Sequence, residues 1–316
     1  PTQLSAGQAL RYKFALQATP IKPLLRDAWD LRIARHEPFG RALDLPDWKT
    51  DGKPLLQYYA EAGLRHLFIL PSDLWPYPMP VHKKFADALH RLTDEAHVYG
   101  LKVYAYSIHQ RFPVGAPEFD VHGLHMSRRP LAHYVSESWP SDNERTGPIV
   151  HKYGADSQGS ANFCAKSQAL QDANIHSLAK LLDEYGMDGV YLDGTAAHIG
   201  WCQNMLHGCG YHTKDGSIRK TWPVFSNRQF MKRIYAVVKQ RRPNGVVDIH
   251  CSFGFTPAVL AYTDMIWAGE EWGHLREGPP DGHISGVLTL DMFATQYTGR
   301  QVGVAAETLA YRILQG

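Results

Sequence analysis

The sequence is short of the features that would sort it quickly. Lysine and arginine outnumber aspartate and glutamate only enough to leave a net charge of +2. That removes any electrostatic case for nucleic acid or an acidic membrane as partner. No apolar run approaches the roughly 20 residues of a membrane span. No signal peptide leads the chain, which starts at Pro1 without a methionine. Such a start, and an end inside a strand-and-helix alternation, are expected of a domain cut from a longer protein. Gly-x-Gly-x-x-Gly and Walker patterns are missing, and with them the usual nucleotide sites. Gly-x-Ser-x-Gly, His-Glu-x-x-His and a His-x-His on the first expected strand are missing too, which removes common serine- and metal-hydrolase signatures. There is no internal repeat and no low-complexity tract. A Schiff-base lysine would need a strand tip, and the one near candidate, Lys22, stands in a rigid turn between Pro20 and Pro23.

What is present suits a single large domain over residues 1–316, with 44% hydrophobic and 20% charged residues and an ample core. Eight tryptophans, 16 tyrosines and 17 histidines are generous counts. Aromatic faces suit sugar rings, although many such residues simply fill cores. Cysteine is sparse: Cys164, Cys202, Cys209 and Cys251. Cys202 and Cys209 share one loop, which leaves three readings open. A disulfide staples the loop, a metal is held by Cys202, His207, Cys209 and His212, or the thiols are unlinked; the Cys-x6-Cys spacing is not a standard zinc pattern.

Extended and helical runs alternate along the chain. Strands are expected at Tyr12–Thr19, His66–Leu70, Lys102–Ile108, the run ending at Asp193, Val246–Ser252, Met265–Glu271 and Val302–Leu309. Helices are expected at Leu55–Ala62, closed by Gly63, and at Lys83–Tyr99, where Phe85, Leu89, Leu92 and Ala96 keep helical spacing up to Gly100. Others fall near Lys166–Tyr185, Phe225–Gln240 and Leu290–Thr298. The segment from about Gln110 to Ala161 has little periodicity and reads as a long pocket-shaping loop. Asp188 and Asp264 read as turn residues ahead of their strands. A β, α, β, α order predicts a parallel sheet covered by helices. The expected fold is therefore a (β/α)8-type TIM barrel. Only seven strands are visible, so the eighth is either hidden or lies past Gly316.

Active sites of such barrels are built at the C-terminal tips of the strands. The run Gly189-Val-Tyr-Leu-Asp-Gly194 puts a carboxylate, Asp193, at the tip of an apolar strand, where it needs partners or a use. The other tips supply Asp73 and Trp75, Tyr106, His109 and Arg111, Trp201, His250, then Glu270, Glu271 and Trp272, and finally Glu307. Carboxylates, hydroxyl partners and flat faces together are what a carbohydrate site needs. Glycoside cleavage passes through an oxocarbenium-like state, so one carboxylate stabilises or attacks the anomeric carbon and another protonates the leaving oxygen. Asp193 fits the first role and Glu270 the second, with Glu271 as its interchangeable neighbour. The plainer readings are a turn or capping role for Asp193, a salt bridge for Glu270, and a packed histidine bonded to Asp248 for His250. Two other functional classes stay open. One is a carbohydrate-binding barrel without catalysis; the other is a metal-dependent sugar-modifying enzyme built on His109, His198, His207 and His250. No cofactor is expected for the leading reading.

Four stretches taken together carry a resemblance: Phe14-Ala-Leu-Gln-Ala-Thr-Pro-Ile-Lys-Pro23, Gly189-Val-Tyr-Leu-Asp-Gly194, His207-Gly-Cys-Gly-Tyr211 and Gly299-Arg-Gln-Val-Gly303. The chain resembles, over nearly its whole length, a bacterial glycoside-hydrolase-like barrel family related to glycoside hydrolase family 123. The resemblance implies export by polysaccharide-degrading bacteria to the periplasm or beyond, with β-sandwich domains flanking the barrel. Family 123 uses an adjacent Asp-Glu pair with attack by the substrate's own acetamido group, whereas this chain has Asp193-Gly194 at the matching strand. An Asp after strand four and a Glu after strand six are similar instead to retaining α-galactosidase-like barrels, in which the Asp attacks directly.

Overall fold

The structure is a computed structural model. It describes residues 7, 13–36, 42–69, 83–107, 109–113, 121–122, 135–137, 149–151, 160–193, 201–251, 256–268, 289–298 and 302–308. Seven strands form one all-parallel sheet: β1 (Ile33–His36), β2 (His66–Ile69), β3 (Lys102–Ser107), β4 (Gly189–Leu192), β5 (Val247–His250), β6 (Met265–Ala268) and β7 (Ala305–Thr308), paired in chain order. Helical segments fill the crossovers: α1 (Leu55–Glu61), α2 (Lys83–Val98), α3 (Gln168–Glu184), α4 (Val224–Arg241), α5 (Pro257–Leu260), and Leu290–Met292 running into a π turn at Phe293–Tyr297. This is a partial (β/α)8 barrel.

Alternation along each strand sorts side chains into two cores. Leu67, Ile69, Val103, Ala105, Val190, Leu192, Val247, Ile249 and Ile266 face outward into the layer beneath the helices. The helices meet them with stripes at helical spacing, such as Leu170, Leu178, Leu181 and Leu182 on α3 and Phe230, Met231, Ile234 and Val238 on α4. The other parity carries Phe68, Tyr104, Tyr106, Tyr191, Met265, Trp267 and Ala305 into a second, mainly aromatic cluster. Tyr191 of β4 touches Trp267 of β6 at 5.3 Å between ring centroids, and Phe68 of β2 at 6.3 Å. Strands two apart in a flat sheet are about 9.6 Å apart. Rings on the same face meet this closely because the sheet is curled and that face is concave. Gly189 is required by the same crowding, since a Cβ there would lie 2.2 Å from the Val246 carbonyl and 2.8 Å from the Tyr104 ring.

Six strands fall where the sequence places them. The first does not. Residues 13–18 are irregular, with Phe14 85% and Leu16 95% exposed, and the first strand is Ile33–His36. Among the described residues that strand is an edge, with β2 as its sheet neighbour. The chain between these points has another task. Leu24, Leu25, Ala28 and Leu31 pack against the inner cluster and close the barrel from below. The long segment after β3 also differs from expectation. Arg111–Pro113, Ser160–Asn162, Ile149–His151 and Val135–Glu137 pair in that order into a small four-stranded sheet. Three-residue strands are too short to show a period of two.

Asp188 and Asp264 do more than turn the chain. Each precedes a strand, and each exchanges two bonds with the start of the strand before it. The Asp188 amide donates to the Val103 carbonyl at 2.8 Å, and its carboxylate accepts the Val103 N–H at 2.8 Å. The Asp264 amide donates to Val247 O at 2.8 Å, and its Oδ2 accepts the Val247 N–H at 3.0 Å. Asp264, 1% exposed, also takes Lys22 Nζ at 2.7 Å and Lys239 Nζ at 2.8 Å. Lys22 thus belongs to the lower end of the barrel, not to a strand tip. Gly303, at φ +74°, lies against the Lys22 carbonyl, where a Cβ would have no room. Burial lowers the Lys22 pKa against the opposing pull of Asp264.

Removing one member of a buried ion pair leaves an uncompensated charge, so Asp264→Ala is expected to cost about 3–5 kcal/mol in urea unfolding. Asp188→Ala, whose carboxylate is partly exposed, should cost about 1–3 kcal/mol. His66 supplies a pH prediction. Its Nδ1 pairs with Tyr104 Oη at 2.9 Å, and burial depresses its pKa from 6.5 to about 4. Between those values the unfolded chain binds the extra proton. His66 therefore removes stability as pH falls from 6.5 to about 4 and adds no further slope below. Melting temperatures of His66→Gln should fall less steeply than wild type across that window.

Candidate functional site

Strand register places the upper inner face. Asp248 pairs with Met265, Ile249 with Ile266 and His250 with Trp267, while Trp267 pairs with Glu307 across β6 and β7. Leu192 pairs with Ile249, which brings Asp193 level with His250. Asp193, His250, Trp267 and Glu307 therefore form one row at the C-terminal ends of four consecutive strands, above a tier that holds Tyr106 and Tyr191.

Asp193 is tied down at its backbone by an N–H bond to the Ser107 carbonyl, 2.8 Å, which continues the β3–β4 ladder by one residue. Its side chain is 31% exposed and points inward. Tyr106 Oη donates to Asp193 Oδ2, and His250 Nδ1 lies 3.7 Å from Asp193 Oδ1. Both of these groups are inner-face side chains at the barrel mouth. His250 Nδ1 is also bonded to Tyr191 Oη at 2.6 Å. The rings pack as tightly as the polar atoms: Tyr106 on Tyr191 at 5.5 Å, and His250 edge-on to Trp267 at 6.0 Å. A carboxylate, a histidine and two phenols joined in this way, on an aromatic base, form a polar group that is both oriented and partly open to solvent.

Asp193, Tyr106 and His250 come together, and Glu307 stands in the same inner row with intermediate exposure. Of the two readings of His250, a ligand contact or a packed histidine bonded to Asp248, the structure shows a ring bonded to Tyr191 and close to Asp193 at the mouth. His109 does not join the group. It is buried, with its ring 5.3 Å from Phe230 of α4 and Nε2 3.3 Å from Gln110 Nε2, on the helix side of the sheet. Trp201 is half-buried, with the Lys220 ammonium 3.6 Å over its ring. A cation on the ring is a structural use of that face. Arg111 is described only as part of its short strand. Asp73, Trp75, His198, Glu270, Glu271 and Trp272 lie outside the described residues. Tyr191 and Trp267 were missed, although parity shows them: Tyr191 is two residues before Asp193, and Trp267 matches His250 in register.

Among the described residues, one group of side chains has metal-ligand geometry: Cys164, Cys202, His207 and Cys209. His212 is not in it; that ring is exposed, with Nδ1 3.3 Å from the Gly216 carbonyl. His207 is therefore engaged away from His109 and His250. A cavity of about 510 Å³ opens at the opposite, N-terminal end of the strands, lined by residues that include Asp27, Asp30, Arg32, Arg65, His66 and Lys102. Its walls come from helix-to-strand turns and strand starts, the face that stabilises barrels, and not from strand tips, where their chemistry is placed.

The fold and the position of Asp193 define the class as a (β/α)8-type barrel with a polar, partly open mouth. Solved structures share the fold. The chain is similar to a noncanonic maltogenic α-amylase from Thermotoga neapolitana, with a TM-score of 0.52 and 12% identity over 88% of this chain and 58% of that one. It is also similar to trehalose-6-phosphate hydrolase from Bacillus licheniformis, with a TM-score of 0.51 and 13% identity over 81% of this chain and 51% of that one. The chain thus spans just over half the length of either protein. No protein-family model matches it, and no curated protein matches it in sequence.

Tyr191→Phe removes the hydroxyl bonded to His250 Nδ1 while keeping the ring. The expected cost is about 1–3 kcal/mol by urea unfolding, with a shift of the His250 ring resonances in NMR.

Proposed function

We propose that the chain is the catalytic barrel of a glycoside hydrolase that acts on an oligo- or polysaccharide with retention of configuration. The observation that carries this reading is Asp193: an inward carboxylate at a strand tip, oriented by Tyr106 and facing His250, and accessible from the barrel mouth. That the two fold relatives are a maltogenic amylase and a trehalose-6-phosphate hydrolase supports the substrate class.

In this reading a glycosidic bond lies over the row of Asp193, His250, Trp267 and Glu307. The Asp193 carboxylate attacks the anomeric carbon as the glycosidic C–O bond breaks, and Glu270 or Glu271 gives its proton to the departing oxygen. A water molecule, deprotonated by the same Glu, then opens the glycosyl ester and frees Asp193. The Tyr106 bond holds one carboxylate oxygen and so fixes the direction in which the other reaches. Trp267 gives the ring an apolar wall, and Glu307 and His250 can accept or donate to sugar hydroxyls. Glu270 and Glu271 are adjacent in the chain, so each is tested as the acid. The kinship to family 123, export from a bacterial cell and flanking β-sandwich domains belong to the same proposal.

The test is a screen of aryl glycosides and purified glycans, with NMR of the first-formed product. Retention of configuration is expected. Asp193→Asn should keep the circular dichroism spectrum and melting temperature while turnover falls at least roughly a thousandfold. Sugar binding by wild type without turnover would reassign the chain as a carbohydrate-binding barrel. An Asp193→Asn variant that fails to fold would make Asp193 a structural residue.

A further inference from the structure

Among the described residues of the loop between β4 and α4, 201–223, there is almost no hydrophobic interior. From Trp201 to Trp222 the buried residues are Cys202, Asn204 and Cys209, while Met205, Leu206, Tyr211 and Trp222 are exposed. The loop is nonetheless built with care. Cys202 and Thr221 exchange backbone bonds at 2.8 and 2.9 Å, Tyr211–His212 pairs with Ile218–Arg219, and the Asn204 side chain caps a 3-10 turn at Met205–His207. What fills its interior is sulfur. Cys202 and Cys209 bury their thiols against Cys164, which comes from a different loop, just ahead of the Ser167 cap of α3.

We propose that Cys164, Cys202, Cys209 and Nε2 of His207 hold a structural zinc ion that clamps the β4–α4 loop to the start of α3. The four donor atoms lie within 4.8 Å of one another. The Cys164 and Cys209 sulfurs are 3.8 Å apart, and Cys202 Sγ is 3.0 Å from His207 Nε2. Thiolates about 2.3 Å from a tetrahedral zinc stand about 3.8 Å from each other, so the first pair already has the length of a tetrahedron edge. Three thiolates and one imidazole are a set that zinc takes in structural sites, closed and with no open position.

Two further features point to metal-bound thiolates. The Lys166 N–H is 3.4 Å from Cys164 Sγ, and the Asn204 N–H is 3.4 Å from Cys202 Sγ. In both cases an amide two residues on donates to the sulfur, as suits a charged thiolate that must be oriented. His207 is placed by the turn it ends, since Gly208 takes a left-handed φ of 73° and returns the chain to Cys209. Lys166 Nζ bonds the Gly208 carbonyl at 2.7 Å and brings a positive charge beside the cluster. A disulfide would use two of the three sulfurs and leave the third buried beside it, whereas one metal ion uses all four donors. Binding converts three thiols to thiolates and releases three protons for each Zn2+ taken up, so affinity should weaken as pH falls.

This site is independent of the glycosidase reading and is tested separately. The full chain, purified under reducing conditions without added metal or chelator, is analysed by inductively coupled plasma mass spectrometry. Equimolar zinc is expected. Exchange into Co2+ should produce thiolate-to-cobalt charge transfer and the intense ligand-field bands of a tetrahedral site, a readout that needs no variant. Cys164→Ser and His207→Ala should lose most of the metal, and His212→Ala should keep it. Zinc far below equimolar with no tetrahedral cobalt spectrum would overturn the proposal. So would a Cys164–Cys209 disulfide in the freshly isolated protein, or metal that survives Cys164→Ser but not His212→Ala.

Discussion

The packing of rings on the concave side of the sheet is the constraint on which the other features depend. A parallel sheet covered by helices can be nearly open or tightly curled, and the outer aliphatic layer does not decide between them. Phe68, Tyr191 and Trp267 do, because the Tyr191 ring touches the other two across strands that are not neighbours, with Tyr104 and Tyr106 packed between them. Curling brings the strand tips toward each other, and this turns a linear row of polar residues into a mouth. Gly189 records how tight the fit is, since nothing larger passes between Tyr104 and the Val246 carbonyl.

The two ends of the barrel are held by different chemistry. Below, the chain from Leu24 to Leu31 covers the rings, and the clasp of Lys22 and Lys239 on Asp264 fastens it to the start of β6. The Asp188 and Asp264 brackets repeat one device at two places: an acid ahead of a strand receives the first inner amide of the strand before it. Above, the tips are joined through side chains, Tyr106 to Asp193 and Tyr191 to His250. Rigidity below and hydrogen-bonded polarity above is the arrangement that lets a barrel vary its upper loops without losing its fold.

Much of this was legible in the sequence, for identifiable reasons. Interior parallel strands are buried on both faces and read as apolar runs, which is why His66–Ile69, Gly189–Leu192 and Met265–Ala268 could be placed. The tip position of Asp193 followed from the Asp-Gly that ends such a run. The misplaced first strand follows from the same rule, because Ile33–His36, an edge among the described residues, carries two basic residues, while Tyr12–Thr19 alternates convincingly yet is exposed coil where it is described. The burial of His109 was hidden because a residue just past a strand can turn to either face. Cys164 was hidden because no spacing rule links it to Cys202 and Cys209. Only the adjacency of the two crossovers, α3 beside α4, brings them together.

The hydroxyls of Tyr106 and Tyr191 have one more consequence. They lie at the boundary between the aromatic interior and the polar rim, so the base of the mouth is made of phenols and not of aliphatic groups. Whatever descends between the strand tips ends against two oriented oxygens, already bonded to Asp193 and His250. The depth of the recess is then fixed by ring length, and exchanging either tyrosine for a smaller residue would lower the base and change which molecules fit.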